Sequence, residues 1–474
     1  MIGLLSEATA LSSPVSALSA LACKHRVPGA QFAIYHGGAT ATAEVGELEF
    51  GTGHRVTRDA AFPAGSITKS FTATVAMILA ADGDVDLDAP IGDCVPELGD
   101  LGDMISLRQL LSHTSGLADN SGMEEAPTST LRRYVVEHVR REKLVLPPGA
   151  GFSYSNPGYA LVGQLIETIT GMSWSEAVES ILLRPLEIDP VFVNLPGTKP
   201  SRRPVATGHS VHTGAGRTRP VRQSRVPADA PAGALALSAA DLVKLGLLHA
   251  GPGSPQVLPA ACAGQMRRPV PHADPFGLAD GWGLGLAVFR QEAADWVGHD
   301  GNADGTSCYL RVNPAGGWVV ALTSNANTGA GLWQDLLAEL AHAGVPIDPA
   351  RAPVPGGPQV APPPGCAGTY ANGGVEYVVT AGGSVPNGSN GSNGSNESVH
   401  VSVDGENFVP LTFHEDLTFS LLDPTSGRRV PGGRFVRERA TGKVCGIQVG
   451  GRLARRQVFP HAASSAGQRL APVG

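Results

Sequence analysis

The chain is poor in charged and in aromatic side chains. Charged residues make up 16% of its 474 residues and aromatic residues 5%, and its formal net charge is −7. A net negative charge argues against a nucleic acid as the partner. No apolar run reaches the roughly eighteen residues that a membrane-spanning helix needs, so we expect no membrane partner.

Cysteine is also scarce, with six residues in the whole chain. None of them forms a Cys-x-x-Cys pair, so their spacing predicts no zinc site, and we interpret them as small buried thiols. His209 and His212 lie three residues apart, as metal ligands can, but no third ligand accompanies them. We therefore expect neither a metal nor another cofactor.

The beginning of the chain lacks the basic lead of a secretory signal. No lysine or arginine precedes Lys24, and Glu7 interrupts the apolar stretch. A signal peptide starts with a basic segment and continues with an apolar one. The pattern instead predicts a first helix over residues 5–25 and a cytoplasmic protein.

The most informative motif is Ser66-Ile67-Thr68-Lys69, which opens a segment predicted to be helical over residues 66–82. Residues three apart lie on one face of a helix, so the Ser66 hydroxyl and the Lys69 amine should be neighbours. The free N–H groups of the first turn favour negative charge that develops there. A serine beside an amine that takes its proton is an activated nucleophile.

Two further motifs follow the first in the chain. Tyr-Ser-Asn at 154–156 precedes a helix-like run, and His-Asp-Gly at 299–301 lies between two strand-like runs, 286–289 and 308–312. Neither motif is specific alone. Three motifs in this order carry much more information than the first one by itself.

Together with the stretches 110–117 and 232–238, these motifs resemble the penicillin-recognising serine hydrolases. That superfamily includes class C β-lactamases, DD-peptidases, D-aminopeptidases and related esterases. The resemblance covers roughly residues 20–345. Many members have Lys-Thr-Gly as the third motif, whereas this chain has the His-x-Gly pattern of the DD-peptidase and esterase branches.

The resemblance implies roles for five side chains. Ser66 would attack a carbonyl and form an acyl-enzyme, with Lys69 as the base. Tyr154 would relay a proton to the leaving group and activate the next nucleophile. Asn156 would bind the substrate amide and Lys69, and His299 would orient Tyr154 or the carboxyl end of the substrate.

The same resemblance implies an oxyanion hole. It would consist of the N–H of Ser66 and a strand N–H next to Gly301, which we assign to Asn302. Gly301 would let a substrate backbone approach the strand closely. We interpret Asp300 and Asp304 as turn residues and His113 as a structural residue.

Periodicity divides the chain into a larger and a smaller domain. Strand-like runs before and after a helical region predict an α/β domain, residues 1–348, in which helices flank an antiparallel sheet and form a helical lobe. Ser173 with Glu176 and Ser238 with Asp241 are typical helix starts. The stretch 197–232 is rich in Arg, Pro and Gly and predicts irregular structure.

A Pro-rich linker, residues 349–364, leads to a C-terminal domain, residues 365–474. Short strands separated by turns predict a small up-and-down barrel there. It resembles the lipocalin-like domain that some members of the superfamily carry. Five barrel arginines either form a solvated face, which we favour, or face the cleft and meet a carboxylate: Arg437, Arg439, Arg452, Arg455 and Arg456.

The group that the chain most resembles is the penicillin-binding-protein-type thioesterases. Enzymes of this group take a nonribosomal peptide from a peptidyl carrier protein onto a serine at a D-configured C-terminal residue. The N-terminal amine of the peptide then attacks, which releases a head-to-tail macrolactam. The resemblance therefore implies a stand-alone thioesterase and peptide cyclase.

Two other functions remain open. An intracellular hydrolase, such as an esterase, a D-aminopeptidase or a β-lactamase-like enzyme, would use the same five residues with water as the acceptor. A binding protein that kept the fold but not the chemistry is the third reading, and the intact set of five residues argues against it.

Overall fold

A computed structural model describes nine segments of the chain. They are residues 17–119, 130–140, 143–224, 227–251, 253–348, 358–381, 399–405, 408–422 and 429–457.

The strands of these segments are short, and most belong to two sheets. In chain order they are β1 (Gly29–His36), β2 (Ala39–Gly46), β3 (Phe62–Pro63), β4 (Gly208–His212), β5 (Arg217–Val221), β6 (Ala236–Leu237), β7 (Gly281–Trp282), β8 (Ala287–Phe289), β9 (Trp296–Ala303), β10 (Thr306–Asn313), β11 (Trp318–Ser324), β12 (Gln359–Val360), β13 (Gly368–Asn372), β14 (Val375–Ala381), β15 (Val399–Val403), β16 (Val409–His414), β17 (Thr418–Leu422), β18 (Arg429–Arg437), β19 (Val444–Val449) and β20 (Arg452–Arg456).

The helices lie almost entirely in the first three quarters of the chain. They are α1 (17–24), α2 (Thr68–Asp82), α3 (Leu107–Leu111), α4 (Leu131–His138), α5 (Asn156–Thr170), α6 (Trp174–Val178), α7 (Ala230–Gly233), α8 (Ala239–Leu247), α9 (Ala260–Arg267) and α10 (Gly329–His342). A 3₁₀ turn, Gly65–Ile67, leads directly into α2.

The first sheet has seven antiparallel strands in the order β2-β1-β11-β10-β9-β8-β7. Side chains alternate between its faces, so Ala33 of β1 joins one core while Phe32 and Ile34 join the other. The helical lobe with α2, α5 and α8 supplies the first core, and α1 and α10 supply the second. The sheet is therefore covered by helices on both faces.

The second sheet closes on itself. Strands β13 to β20 pair in chain order, and β20 pairs back with β13. The closed ring has the up-and-down topology, and its interior holds aromatic side chains such as Tyr370, Phe413 and Phe435. The predicted fold class, an antiparallel sheet with flanking helices plus a C-terminal barrel, is confirmed.

Local signals at the helix ends agree with the structure. Ser173 and Glu176 form a capping box at the start of α6, and Ser238 with Asp241 form another at α8. Helix α2 ends at Gly83, whose φ of 86° suits glycine. These interactions involve residues three or four apart, so the neighbouring sequence alone specifies them.

Several element boundaries differ from the predictions. The His-Asp-Gly motif lies inside β9 and not between strands. The stretch 197–232, predicted to be irregular, contains the β4–β5 hairpin. Strand propensity is low in the sequence of β9, which forms a strand because β10 pairs with it along 297–303.

Two predicted segments lie partly outside the described residues. The predicted first helix, 5–25, is helical over 17–24, and residues 1–16 are outside the description. Of the linker, 358–364 is described, and β12 within it pairs with β16 of the barrel. The domain boundaries 1–348, 349–364 and 365–474 stay predictions.

Gly301 has a packing role that differs from the role predicted from the sequence. A Cβ at this position would lie 2.0 Å from the carbonyl oxygen of Ala64 and 3.0 Å from the backbone nitrogen of Ile67. The bare face of Gly301 therefore meets the 3₁₀ turn that carries Ser66. The glycine lets this turn approach β9 closely, and the approach of a substrate backbone at Gly301 stays a prediction.

Replacing Gly301 by alanine is expected to lower the free energy of unfolding by about 1–3 kcal/mol, because backbone atoms must move to admit the methyl group. Gly264→Ala in α9 is the matched control, since a Cβ there meets nothing within 4 Å. Urea denaturation of both variants measures the difference. Equal midpoints would contradict the packing role of Gly301.

Candidate active site

Ser66 occupies the 3₁₀ turn at the start of α2, half-buried at the wall of a cavity. Gly65 before it has a φ of 52°, which favours glycine. A Cβ on Gly65 would lie 2.2 Å from the carbonyl oxygen and 2.9 Å from the backbone nitrogen of Asn302. The turn is therefore packed backbone to backbone against β9.

This packing bears on the predicted oxyanion hole. The N–H and the C=O of one residue point to the same side of a strand. The carbonyl of Asn302 lies beside Gly65, so the N–H of Asn302 faces the Ser66 turn as well. The geometry fits the prediction that the N–H groups of Ser66 and Asn302 act together, and their catalytic role stays a prediction.

Lys69 lies one helical turn after Ser66 and is fully buried. Its Nζ is 3.1 Å from Ser66 Oγ and 2.9 Å from the carbonyl oxygen of Ala232. The same nitrogen stands 5.0 Å from the ring centre of Tyr154 and 5.7 Å from that of Tyr159. The expected contact between the serine and the lysine is present.

Tyr154 completes the group around Ser66, to which its phenol is hydrogen bonded. Burial raises the pKa of this phenol well above its ordinary value, although the bond to Ser66 and the charge of Arg452 act in the opposite direction. The phenol is therefore protonated at neutral pH. It can donate a proton to a leaving group and recover it from the next nucleophile.

His113, interpreted from sequence as structural, holds the Tyr154 motif in place. Its ring stacks on the Tyr154 ring with centroids 4.2 Å apart. Its Nδ1 accepts the N–H of Ser155 at 3.1 Å. Burial lowers the pKa of His113 well below 6.5, so the ring is neutral and Nδ1 stays an acceptor.

Asn156 begins α5 and lines the same cavity as Ser66. Ser155 is the N-cap of this helix, and its Oγ accepts the N–H of Gly158 at 3.1 Å. The cap fixes the first turn of α5 and with it the position of Asn156. The predicted motif residues thus meet at the start of two helices, α2 and α5.

His299 on β9 is buried beside the cavity. Its Nδ1 donates to the carbonyl oxygen of Asp300 at 2.6 Å, and its ring lies 6.4 Å from that of Tyr154, centroid to centroid. Burial, reinforced by the charge of Lys69, lowers the pKa of His299 to about 4. Asp300 is a strand residue paired with Arg311 and not the turn residue expected from sequence.

The cavity in front of Ser66 has a volume of about 270 Å³. Ser66, Tyr154, Asn156, His299 and Asn302 contribute its polar wall. An apolar wall faces them, which suits a hydrophobic side chain of a substrate; it consists of Ala232, Leu278, Trp282, Ala287 and Phe289. A larger cavity of about 390 Å³ lies beside α3, and none of the predicted site residues lines it.

One further lining residue comes from the barrel. Arg452 on β20 lines the cavity, and its guanidinium carbon lies 5.0 Å from the ring centre of Tyr154. The interpretation of the barrel arginines as a solvated face is wrong for Arg452, whereas Arg437, Arg439 and Arg455 are exposed. Arg456 bonds to the carbonyl oxygen of Ala367 within the barrel.

A tight hairpin brings Arg452 to the site. Gly450 and Gly451 join β19 to β20 with φ values of 52° and 75°, a two-residue turn that favours glycine. The carbonyl oxygen of Gly451 accepts the N–H of Tyr154 at 3.0 Å. The Gly-Gly-Arg sequence could have indicated this contact, because two adjacent glycines form a tight turn that can approach another backbone closely.

Side chains that can bind metals were also compared within the described segments. No three His, Cys, Asp or Glu side chains of these segments are grouped so as to hold a metal ion. His209 is engaged otherwise, with Nδ1 2.8 Å from the carbonyl oxygen of Asn325 and Nε2 accepting the N–H of Phe50. Among the same residues, no helix has the length and apolar character needed to cross a membrane.

Comparison with known proteins identifies the class that this fold and site define. The family described as Beta-lactamase matches residues 10–344. The chain belongs to this family, among the serine hydrolases related to β-lactamases and penicillin-binding proteins. The resemblance inferred from the three motifs is confirmed at this level.

Individual relatives share this fold. Penicillin-binding protein 4 of Amycolatopsis lactamdurans is 33% identical over 368 residues, which cover 75% of this chain and 96% of the relative. A D-stereospecific amidohydrolase from Streptomyces sp. is 27% identical with a TM-score of 0.55, covering 68% of this chain and 97% of that one.

One similar structure includes the barrel. The crystal structure of SurE is 37% identical, with a TM-score of 0.83, and the match covers 95% of this chain and all of the SurE chain at 100%. A second structure, SurE with D-Leu, is also 37% identical with a TM-score of 0.79 and covers 94% and 99%. The likeness therefore extends over both sheets.

Arg452→Gln is expected to lower kcat/KM for a peptide substrate about 10- to 100-fold, the usual effect of losing one charged hydrogen-bond donor. Arg455→Gln on the same strand, exposed and outside the cavity, should leave it unchanged. Steady-state kinetics of both variants with an oligopeptide thioester provide the measurement. Equal losses in the two variants would contradict a role of Arg452 in the site.

The low pKa of His299 makes a prediction about acid stability. Since the folded pKa of about 4 lies below the free value of 6.5, the unfolded chain takes up this proton first as the pH falls. The free energy of unfolding therefore falls as the pH drops from 6.5 to 4, and at pH 5 this group has lowered it by about 2 kcal/mol. Between pH 7 and pH 5, the free energy of unfolding of His299→Gln should fall by about 2 kcal/mol less than that of the wild-type protein, as measured by urea denaturation. Equal decreases in the two proteins would refute the low pKa of His299.

Proposed function

We propose that this enzyme is a stand-alone thioesterase and peptide cyclase. Ser66 takes a nonribosomal peptide from a peptidyl carrier protein, and the N-terminal amine of that peptide releases it as a macrolactam. The observation that carries the proposal is the contact of 3.1 Å between Lys69 Nζ and Ser66 Oγ, and the likeness to SurE over 95% of the chain, barrel included, supports it. The carrier-bound substrate is made in the cytoplasm, where the proposal places the enzyme.

Acylation begins with Ser66. Its hydroxyl attacks the thioester carbonyl while its proton passes to Lys69, whose Nζ lies 3.1 Å from Oγ. The N–H groups of Ser66 and Asn302 stabilise the oxyanion that forms. When the carbon–sulfur bond breaks, Tyr154 donates a proton to the departing thiolate and Lys69 restores it. The peptide is then an ester of Ser66, and the carrier leaves as a thiol.

Deacylation reverses the proton path with another nucleophile. The neutral N-terminal amine attacks the ester carbonyl and forms the new carbon–nitrogen bond, and one of its protons passes through Tyr154 and Lys69 to Ser66 Oγ. The carbon–oxygen bond to Ser66 breaks and the serine hydroxyl is regenerated. The product is an amide that closes the ring, and no water is consumed.

Configuration at the acylated residue is part of the proposal. SurE has been solved with D-Leu, and the Streptomyces relative is called a D-stereospecific amidohydrolase. We propose that this chain likewise takes a D-configured C-terminal residue. The apolar wall of the cavity, with Leu278, Trp282 and Phe289, suits a hydrophobic side chain on that residue.

A hydrolase with water as the acceptor is the second candidate. The name of the Streptomyces structure, a D-stereospecific amidohydrolase, favours it, because that protein is 27% identical and covers 68% of this chain. Both candidates require the same acyl-enzyme on Ser66. The product distinguishes them.

The deciding experiment incubates the purified protein with a linear peptide thioester that ends in a D-residue, followed by mass spectrometry. We expect a product lighter by one water than the linear acid and absent with Ser66→Ala, because the acyl group then has no nucleophile to accept it. Linear acid alone would establish the hydrolase instead. Turnover that survives in Ser66→Ala would refute both candidates.

A further inference from the structure

An ion pair joins the barrel to the rim of the active site. Asp119 follows the stretch 110–118 of the catalytic domain, and its side chain is 1% exposed. It accepts a hydrogen bond from Nε of Arg452, whose side chain is 32% exposed where it lines the cavity. Asp119 thus holds the Nε of the guanidinium, and Nη1 donates to the carbonyl oxygen of Gly450 at 3.4 Å, while the side chain lines the cavity.

The same carboxylate also holds the Tyr-Ser-Asn motif. Oδ1 of Asp119 accepts the N–H of Asn156 at 2.9 Å, while Oδ2 meets Arg452. Asn156 is the first residue of α5 and lines the cavity. One buried side chain therefore sets the separation between a cavity residue of the catalytic domain and a cavity residue of the barrel.

Asn372 of β13 adds a second connection from the barrel. Its Oδ1 accepts the N–H of Asp119 at 2.7 Å, and it is 1% exposed. Its Nδ2 donates to Ser153 Oγ at 3.2 Å and to the carbonyl oxygen of Leu453 at 2.8 Å. The side chain that precedes Tyr154 and the backbone that follows Arg452 are thus bound to the same amide.

We infer that Asp119 is a positioning residue that makes the barrel part of the active site by holding Arg452 over the cavity. Arg452 has solvent beside it, so without the charge of Asp119 its guanidinium is free to turn outward. A guanidinium aimed into the cavity meets the carbonyl groups of a bound peptide chain. The inference rests on the proposed acyl transfer at Ser66 but not on the identity of the acceptor.

The test removes the negative charge of Asp119 and leaves the size and shape of its side chain nearly unchanged. Asp119→Asn keeps an oxygen for the N–H of Asn156 and removes the charge that holds Arg452. Arg434→Gln is the matched control, because Arg434 forms another ion pair between the barrel and the catalytic domain, 2.6 Å from Asp274, and does not line the cavity. Both variants are made in the full-length chain.

Two substrates distinguish an effect on peptide binding from an effect on the acylation of Ser66. With an oligopeptide thioester ending in a D-residue, Asp119→Asn should raise KM about 10-fold or more, the usual effect of losing a charge-assisted contact. With p-nitrophenyl acetate, which has no peptide carbonyl groups for Arg452 to contact, the rate of Ser66 acylation should change by a smaller factor than the KM of the thioester. Arg434→Gln should change neither value. A thermal melt of each variant checks that it is folded.

A double-mutant cycle tests whether Asp119 acts through Arg452. If it does, Arg452→Gln costs far less in the Asp119→Asn background than in the wild-type enzyme. Additive effects, or an unchanged KM in Asp119→Asn, would overturn the inference. Should Asp119→Asn not fold, Arg452→Lys takes its place, since it keeps the positive charge and lacks the Nε that Asp119 binds; the same rise in KM is expected.

The same measurements distinguish failure of the proposed function from failure of the positioning role. If the wild-type enzyme is not acylated on Ser66 by the thioester, the acyl-transfer proposal is wrong, and the inference falls with it. If the wild-type enzyme is acylated and Asp119→Asn behaves as Arg434→Gln does, only the positioning role is wrong.

Discussion

The site depends on one backbone contact, the packing of the Ser66 turn against β9. Gly65 packs against the backbone of β9 and Gly301 against the Ser66 turn, and a Cβ on either glycine would overlap a carbonyl oxygen at 2.0–2.2 Å. Without side chains between them, the turn and the strand bring the N–H groups of Ser66 and Asn302 to the same side. The lysine, the tyrosine and the cavity are arranged around a serine whose position this contact determines.

The second feature of the site is that it is built from two domains. The Gly450–Gly451 turn of the barrel bonds to the backbone of Tyr154, and Arg452 lines the cavity. A barrel joined to the enzyme only by a linker would need no buried polar contacts at this interface. Here Asp119 and Asn372 are both buried and both bonded across it, so the barrel belongs to the catalytic architecture.

Much of this arrangement was predictable from local patterns. The Ser-x-x-Lys spacing predicted the contact between Ser66 and Lys69, and the capping boxes predicted the starts of α6 and α8. The alternating strands predicted the barrel. Strand β9 was missed because its glycines and its His-Asp pair have low strand propensity, so pairing with β10, and not local preference, makes it a strand.

The sequence by itself determined the class of the enzyme and the neighbourhood of its nucleophile. Helical geometry brings residues three apart together whatever else the chain does. Only the tertiary structure decided that Arg452 reaches the cavity while Arg455 stays in solvent. It also decided that Arg452 pairs with Asp119, 333 residues away in the chain. Strand residues of one type look alike in sequence, and the choice between core, cleft and solvent depends on how the barrel docks against the catalytic domain.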